Sequence, residues 1–204
     1  MNPLEVEVKF MMPDLDWFRS RLRAAGGTLE KERLFQRNVV FDTPDDLLLN
    51  RGELLRLRQD AVSFVTFKGA AENMEQSEAK VHLELETQVE RFDMLAEIFR
   101  RLGFIEKRVY ERYRETFHFE EVEIVLDEMP FGNFIELEGD EVAIKKAAGK
   151  LGLDWGDRIT ENYLQLMDRL KDHLALRFYD LTFSNFEGLP VSTADLLTCL
   201  GGNR

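Results

Sequence analysis

Cysteine is almost missing from this chain: Cys199 is the only one in 204 residues. One thiol can make neither an internal disulfide nor a cysteine-based zinc site, so a reducing, cytoplasmic setting is expected. Histidine is scarce too, and His82, His118 and His173 show no metal-site spacing. No run of about 18 apolar residues occurs, so no membrane-spanning helix is expected. The opening MNPLEVEVKF lacks the basic-then-apolar order of a secretory signal. There is no glycine-rich phosphate loop, no G-x-S-x-G and no H-E-x-x-H. Basic residues are outnumbered, with 27 Lys and Arg against 39 Asp and Glu and a net charge of −12. That argues against an extended nucleic-acid surface but is silent about a small internal pocket of either sign.

What is present is a globular composition, 44% hydrophobic and 32% charged, in a chain long enough to bury a core. Residues 4–10, LEVEVKF, alternate: Glu5, Glu7 and Lys9 share one strand face, and Val6, Val8 and Phe10 the other. A helix follows, capped by Asp14 and closed by Gly26-Gly27. LFQRNVVFDT reads as a strand ended by Thr43-Pro44, and DDLLLNRG as a short helix or turn. LLRLRQD and SFVTFKG are spaced as a hairpin. AENMEQSE is a polar connection, AKVHLELETQV a strand, and RFDMLAEIFRRLGF an amphipathic helix. A second hairpin is EKRVYERYRETFHF with VEIVLDEM, followed by a strand at NFIELEG and helices at about 140–151 and 159–172. Hairpin-length links make the strands antiparallel and the class α+β. Residues 173–204 are less regular and aromatic, with Phe178, Tyr179, Phe183 and Phe186. This extension is set apart from a domain at 1–172. It should pack on the chain's own body or on a second subunit, and its aromatics are expected to contribute to a homodimer.

For one strand, alternation means a wet face opposite a core face. Here the pattern recurs as Glu5-x-Glu7, Arg56-x-Arg58, Glu84-x-Glu86, Arg112-x-Arg114 and Glu136-x-Glu138, with Lys68 and Asp127 on similar strands. Sheets of many strands tend to curl or close. Closure with the charged faces inward places acids and bases in one lumen, where unpaired charge is costly. Mutual salt bridges are one resolution. A polyanion on the bases with a metal on the acids is another: carboxylates without thiolates suit Mg2+ or Mn2+, and Arg and Lys suit phosphate.

The ordered segments Glu5-x-Glu7-x-Lys9, VVFDTPDDLLLNRGELLRLR, FVTFKG, HLELE, ERYRETF, IVLDEMPFGNFIELEG and TENYLQLM resemble the CYTH superfamily, the triphosphate tunnel metalloenzymes. That family includes class IV adenylate cyclases, thiamine triphosphatases and inorganic tripolyphosphatases. The resemblance spans about residues 4–170 and implies an eight-stranded antiparallel barrel, with helices packed outside and a triphosphate tunnel within. It implies metal (Mg2+ or Mn2+) on Glu5, Glu7, Asp127, Glu136 and Glu138, with Glu84 and Glu86 as metal or supporting contacts. It implies triphosphate on Lys9, Arg56, Arg58, Lys68, Arg112 and Arg114. It gives catalytic roles to Lys9, Glu7 and Glu136. Arg112-x-Arg114 replaces the family's usual Lys-x-Arg, which keeps the charge but removes an exchangeable proton. The expected activity is hydrolysis of inorganic tripolyphosphate or an organic triphosphate. The alternatives are cyclisation of ATP to cyclic AMP with release of pyrophosphate, and a non-catalytic polyphosphate- or nucleotide-binding module. A triphosphate-bearing small molecule is the expected partner, with neither nucleic acid nor membrane.

Overall fold

The computed structural model of the chain describes residues 4–71, 77–189 and 191–199. The polar connection read at AENMEQSE lies largely outside the described residues. Eight strands are formed: β1 (Leu4–Met11), β2 (Thr28–Asp42), β3 (Leu54–Gln59), β4 (Ser63–Ala70), β5 (Lys80–Val89), β6 (Ile105–Phe119), β7 (Val122–Met129) and β8 (Gly132–Glu138). They close into an antiparallel barrel in the order β1-β5-β4-β3-β2-β6-β7-β8. The helices are α1 (Leu15–Ala24), α2 (Phe92–Arg101), α3 (Glu141–Leu151), α4 (Tyr163–Leu174) and α5 (Thr193–Cys199). No helix among the described residues is long and apolar enough to cross a membrane.

Strand parity decides which side chains face outward. Val8 and Phe10 of β1, Ile124 and Leu126 of β7, and Ile135 and Leu137 of β8 pack under α1 and α3 in one buried cluster. Val39 and Phe41 of β2 and Leu57 of β3 pack under α2, beside Ala96 and Phe99. The alternate positions on these strands face inward. Local chemistry sets the helix ends as the sequence suggests. The Asp14 carboxylate accepts from the Trp17 amide, Asp140 accepts from the Val142 amide, and Gly152 closes α3 at φ 73°.

The structure differs from the sequence reading in three places. β2 begins at Thr28 rather than near Leu34, because its charged first half pairs with the far end of β6, through bulges. α4 begins at Tyr163 rather than 159, because Asn162 and Gln165 form a reciprocal capping box and Ile159 is engaged as a strand bridge to Lys9. The segment read as irregular contains α5.

The last two differences have one origin. β5 pairs with β1 only over Leu4–Glu7, and β7 pairs with β6 only from Tyr113 onward. Among the described residues β1 and β6 are therefore each left with an unpaired edge at the same end of the barrel. Ile159 fills the first edge, exchanging hydrogen bonds of 3.0 and 2.8 Å with Lys9. Leu181 fills the second, bonded at 2.8 Å to Val109 and at 2.8 Å to Glu111. Between these anchors α4 lies across the barrel end. Tyr163, Leu166, Met167 and Leu170 pack with Tyr110, Met129 and Phe134 of the strands and with Phe186 and Leu196 of the tail. Phe178 and Phe186 stack edge to face, and Phe183 packs on Phe35 and Tyr113. The tail thus packs on the chain's own body. A tail this integrated carries stability: Phe186→Ala should lower unfolding free energy by about 3 kcal/mol in urea denaturation. A change near zero would mean that the tail is only loosely attached.

Candidate functional site

The inward-facing positions carry the charge. β1 supplies Glu5, Glu7 and Lys9; β3 supplies Arg56 and Arg58; β4 supplies Thr66 and Lys68. Across the lumen, β6 supplies Arg112 and Arg114, β7 supplies Asp127, and β8 supplies Glu136 and Glu138. Every site residue expected from the sequence thus lies on a barrel strand, and ion pairs join most of them from strand to strand. Lys9 Nζ lies 2.9 Å from Glu7 and 3.2 Å from Glu136. Arg114 reaches both Asp127 and Glu136 at 2.5 Å. Arg56 pairs with Glu86 at 3.4 Å and lies 3.8 Å from Glu84. Arg58 pairs with Glu86 at 3.2 Å.

Asp127 is fully buried, and its neighbours occupy it. It accepts from Arg112, Arg114 and the Tyr163 hydroxyl, at 3.2, 2.7 and 2.9 Å. Its carboxylate therefore faces guanidinium groups and a hydroxyl rather than the other acids.

Sequence reading passed over several members. Lys80 and His82 share the parity of Glu84 and Glu86, and extending that alternation back by two steps finds them. Lys80 donates to Glu7 at 2.8 Å. The scattered-histidine reading needs correcting: antiparallel pairing sets His82 opposite Glu5, and His82 with Glu5 and Glu84 offers ligand atoms within 4.8 Å of one another. Tyr110, which shares parity with Arg112, accepts from Arg56 at 2.8 Å. Tyr163 comes from a helix, so no alternation could reveal it. It roofs the sealed end, its ring 5.5 Å from the Lys9 ammonium.

The ring order also sorts the charge. Glu5, Glu7, Glu136 and Glu138 fall on the adjacent strands β1 and β8, while Arg56, Arg58, Arg112 and Arg114 fall on β3 and β6 across the ring. Mutual pairing does not relieve the crowding on either side. Burial, together with the carboxylates of Glu5, Glu123, Glu136 and Glu7, pushes the Glu138 pKa up to about 8. The Glu138 carboxylate makes no hydrogen bond or ion pair among the described residues. On the basic side, burial lowers the Arg58 pKa, and neighbouring Arg56 and Arg112 lower it further against the pull of Glu86. The Nε of Arg56 is buried without an acceptor, and such an unmet donor is costly. Lys9 behaves differently. Burial opposes its charge, but Glu136 and Glu7 outweigh burial and raise its pKa, so the ammonium is retained. Glu136 is drawn down to about 2 by Lys9 and Arg114, against burial. An acid surrounded by acids fits a cation, and a guanidinium with one unmet donor fits an anion.

The CYTH domain model matches residues 3–163. The chain belongs to the CYTH family. A Methanocaldococcus jannaschii protein named "Putative adenylate cyclase" is 27% identical over 181 residues, covering 86% of this chain and 96% of that one. The X-ray structure of a protein from Vibrio parahaemolyticus, described as a "putative adenylate cyclase", aligns at TM-score 0.68 with 21% identity, covering 80% of this chain and 97% of that one. A Hippeastrum protein, a "putative adenylyl cyclase" described as having a dominant triphosphatase activity, aligns at TM-score 0.54 with 16% identity, covering 78% and 90%. The two structures share the CYTH fold with this chain.

The crowding around Glu138 has a stability consequence. Its folded-state pKa of about 8 lies above the ordinary value of 4.5. Folding therefore gains from the bound proton below about pH 4.5 and loses that gain as pH rises through 8. Glu138→Gln, which cannot ionise, should raise the urea midpoint of the metal-free protein at pH 8 and make little difference at pH 4.5. An unchanged midpoint at both pH values would show that the acids do not strain one another.

Proposed function

We propose that this CYTH protein is a divalent-metal-dependent phosphohydrolase that binds a triphosphate inside its barrel. The observation that carries this reading is the like-charge crowding left on both sides of the lumen after the internal ion pairs are made. A purely structural salt-bridge lattice accounts for Lys9, Glu7 and Glu136. It does not account for Glu138 among four other carboxylates or for the unmet donor on Arg56. A phosphate chain supplies acceptors to the arginines, and a cation supplies charge to the acids.

In this reading Arg56, Arg58, Lys68, Arg112 and Arg114 hold phosphate oxygens, as guanidinium forks and ammonium groups do. Lys9, kept charged by Glu7 and Glu136, is a phosphate contact rather than a base. Asp127 orients the two β6 arginines from behind. Glu5, Glu7, Glu136 and Glu138 hold Mg2+ or Mn2+, with Glu84 and Glu86 beside them. When bound, the ion neutralises phosphate charge and polarises the phosphoryl group. Hydrolysis adds water to the terminal phosphorus and breaks its bridging P–O bond, and the lumen's cations stabilise the departing diphosphate. The Hippeastrum protein's described triphosphatase activity supports this choice. The name of the Methanocaldococcus relative supports a second reading, in which the ribose 3′ hydroxyl of ATP attacks the α-phosphorus and pyrophosphate leaves. A metal-free binding module is disfavoured, because the surplus carboxylates repel a bare polyanion.

Incubation with tripolyphosphate, ATP or thiamine triphosphate, each with Mg2+ or Mn2+, distinguishes these readings. Orthophosphate release marks the hydrolase, and cyclic AMP with pyrophosphate marks the cyclase. Glu7→Gln should reduce turnover by about 10²–10³-fold while sparing metal-free tripolyphosphate binding. Equal tripolyphosphate binding with and without the ion, and no turnover of any substrate, would leave the binding module standing.

A further inference from the structure

The ammonium of Lys68 is set among three groups that are themselves metal-ligand types. Its Nζ lies 2.6 Å from Glu5 Oε2, 2.7 Å from Glu84 Oε2 and 2.9 Å from His82 Nε2. Strand pairing builds this cage: Glu5 stands opposite His82, and Lys68 opposite Glu84. The cage is nonetheless a poor home for a lysine. His82 Nε2 is also 2.5 Å from Glu5 Oε2, and one ring nitrogen presents either a proton or a lone pair. A lone pair there accepts from Lys68 but faces the Glu5 oxygen. A proton there satisfies Glu5 but faces the ammonium. In either tautomer one close contact in a buried site is unfavourable. His82 is 6% exposed, and its other ring nitrogen, Nδ1, is buried with no hydrogen-bond partner. A divalent ion removes the conflict, because the carboxylate oxygens and the imidazole nitrogen can all direct lone pairs at it. Each donor needs to close in by about 0.5–0.8 Å to reach the roughly 2.0–2.2 Å of nitrogen and oxygen ligands, and the Glu5 oxygen and His82 nitrogen, now 2.5 Å apart, turn away from each other as they do so.

We propose that Glu5, His82 and Glu84 form a site for a first-row divalent transition ion such as Mn2+ or Zn2+, and that Lys68 is a placeholder cation expelled when the ion arrives. The imidazole donor distinguishes this site from the carboxylate set of Glu7, Glu136 and Glu138 proposed above, with Glu5 common to the two. It biases selection away from Mg2+, which prefers oxygen ligands. The expelled ammonium becomes available to an anion in the lumen. Loading the ion therefore raises the lumen's affinity for a phosphate chain twice, once through its own charge and once by freeing Lys68. This last consequence rests on the triphosphate reading above, whereas the metal site does not.

The test uses Mn2+ alone, with no triphosphate present. Pulsed electron paramagnetic resonance of the full chain saturated with Mn2+ should show the nitrogen-14 modulation of a directly bound imidazole. His82→Gln should abolish that modulation, whereas His118→Gln and His173→Gln should leave it. Lys68→Met, which removes the placeholder, should tighten Mn2+ binding about tenfold in equilibrium dialysis. Absence of nitrogen modulation in the unaltered protein, or Mn2+ affinity unchanged or weakened by Lys68→Met, would overturn the proposal. Neither measurement involves triphosphate. Failure to turn over any triphosphate would sink the hydrolase and cyclase readings and leave this site intact. Turnover without the nitrogen signal would do the reverse.

Discussion

The ammonium of Lys9 holds the seam of this molecule. It bridges Glu7 on its own strand and Glu136 on β8, at 2.9 and 3.2 Å, where the first strand meets the last. Closing a sheet here means burying the charged face of every strand, and burial of unpaired charge opposes closure. Lys9 turns two carboxylates that would repel each other into a shared contact. Its backbone serves the same joint, since it bonds Ile159 in both directions and so fixes the entry to α4. Ring closure, a sealed end and a charged lumen all depend on this residue and its neighbours.

Period-two alternation made much of this legible from sequence. A strand has two faces, so one charged pair flanked by apolar residues assigns a whole strand's orientation. Glu5, Glu7 and Lys9 could be placed together before any pairing was known. The same rule extends to Lys80 and His82, which precede the acidic pair on the same strand face. What alternation cannot supply is which strand lies beside which. His82 became chemically interesting only when antiparallel register set it opposite Glu5, across a sequence separation that no local motif spans.

The barrel's end was less visible for a related reason. α4 is signalled by its apolar stripe, but its start was misplaced because Ile159 serves as a strand bridge. The tail looked irregular because its segment around Leu181 makes a single bridge rather than a ladder. Its contribution arises from the edge of β6 that the shorter β7 leaves unpaired, as that of Ile159 arises from the offset register of β1 against β5. Tyr163 likewise belongs to the site through tertiary placement, its hydroxyl on Asp127 at 2.9 Å.

That sealed end changes what the lumen is as a vessel. With α4 and the tail packed over Tyr110, Met129 and Phe134, a linear molecule entering from the Glu138 side meets a floor. Such a molecule would enter end-first and leave by the same opening. For the phosphate chain proposed above, the distance from the open end to Tyr163 would set how much of it is gripped. If the proposed hydrolysis occurs there, the fragment at the bottom has to leave before the next substrate enters.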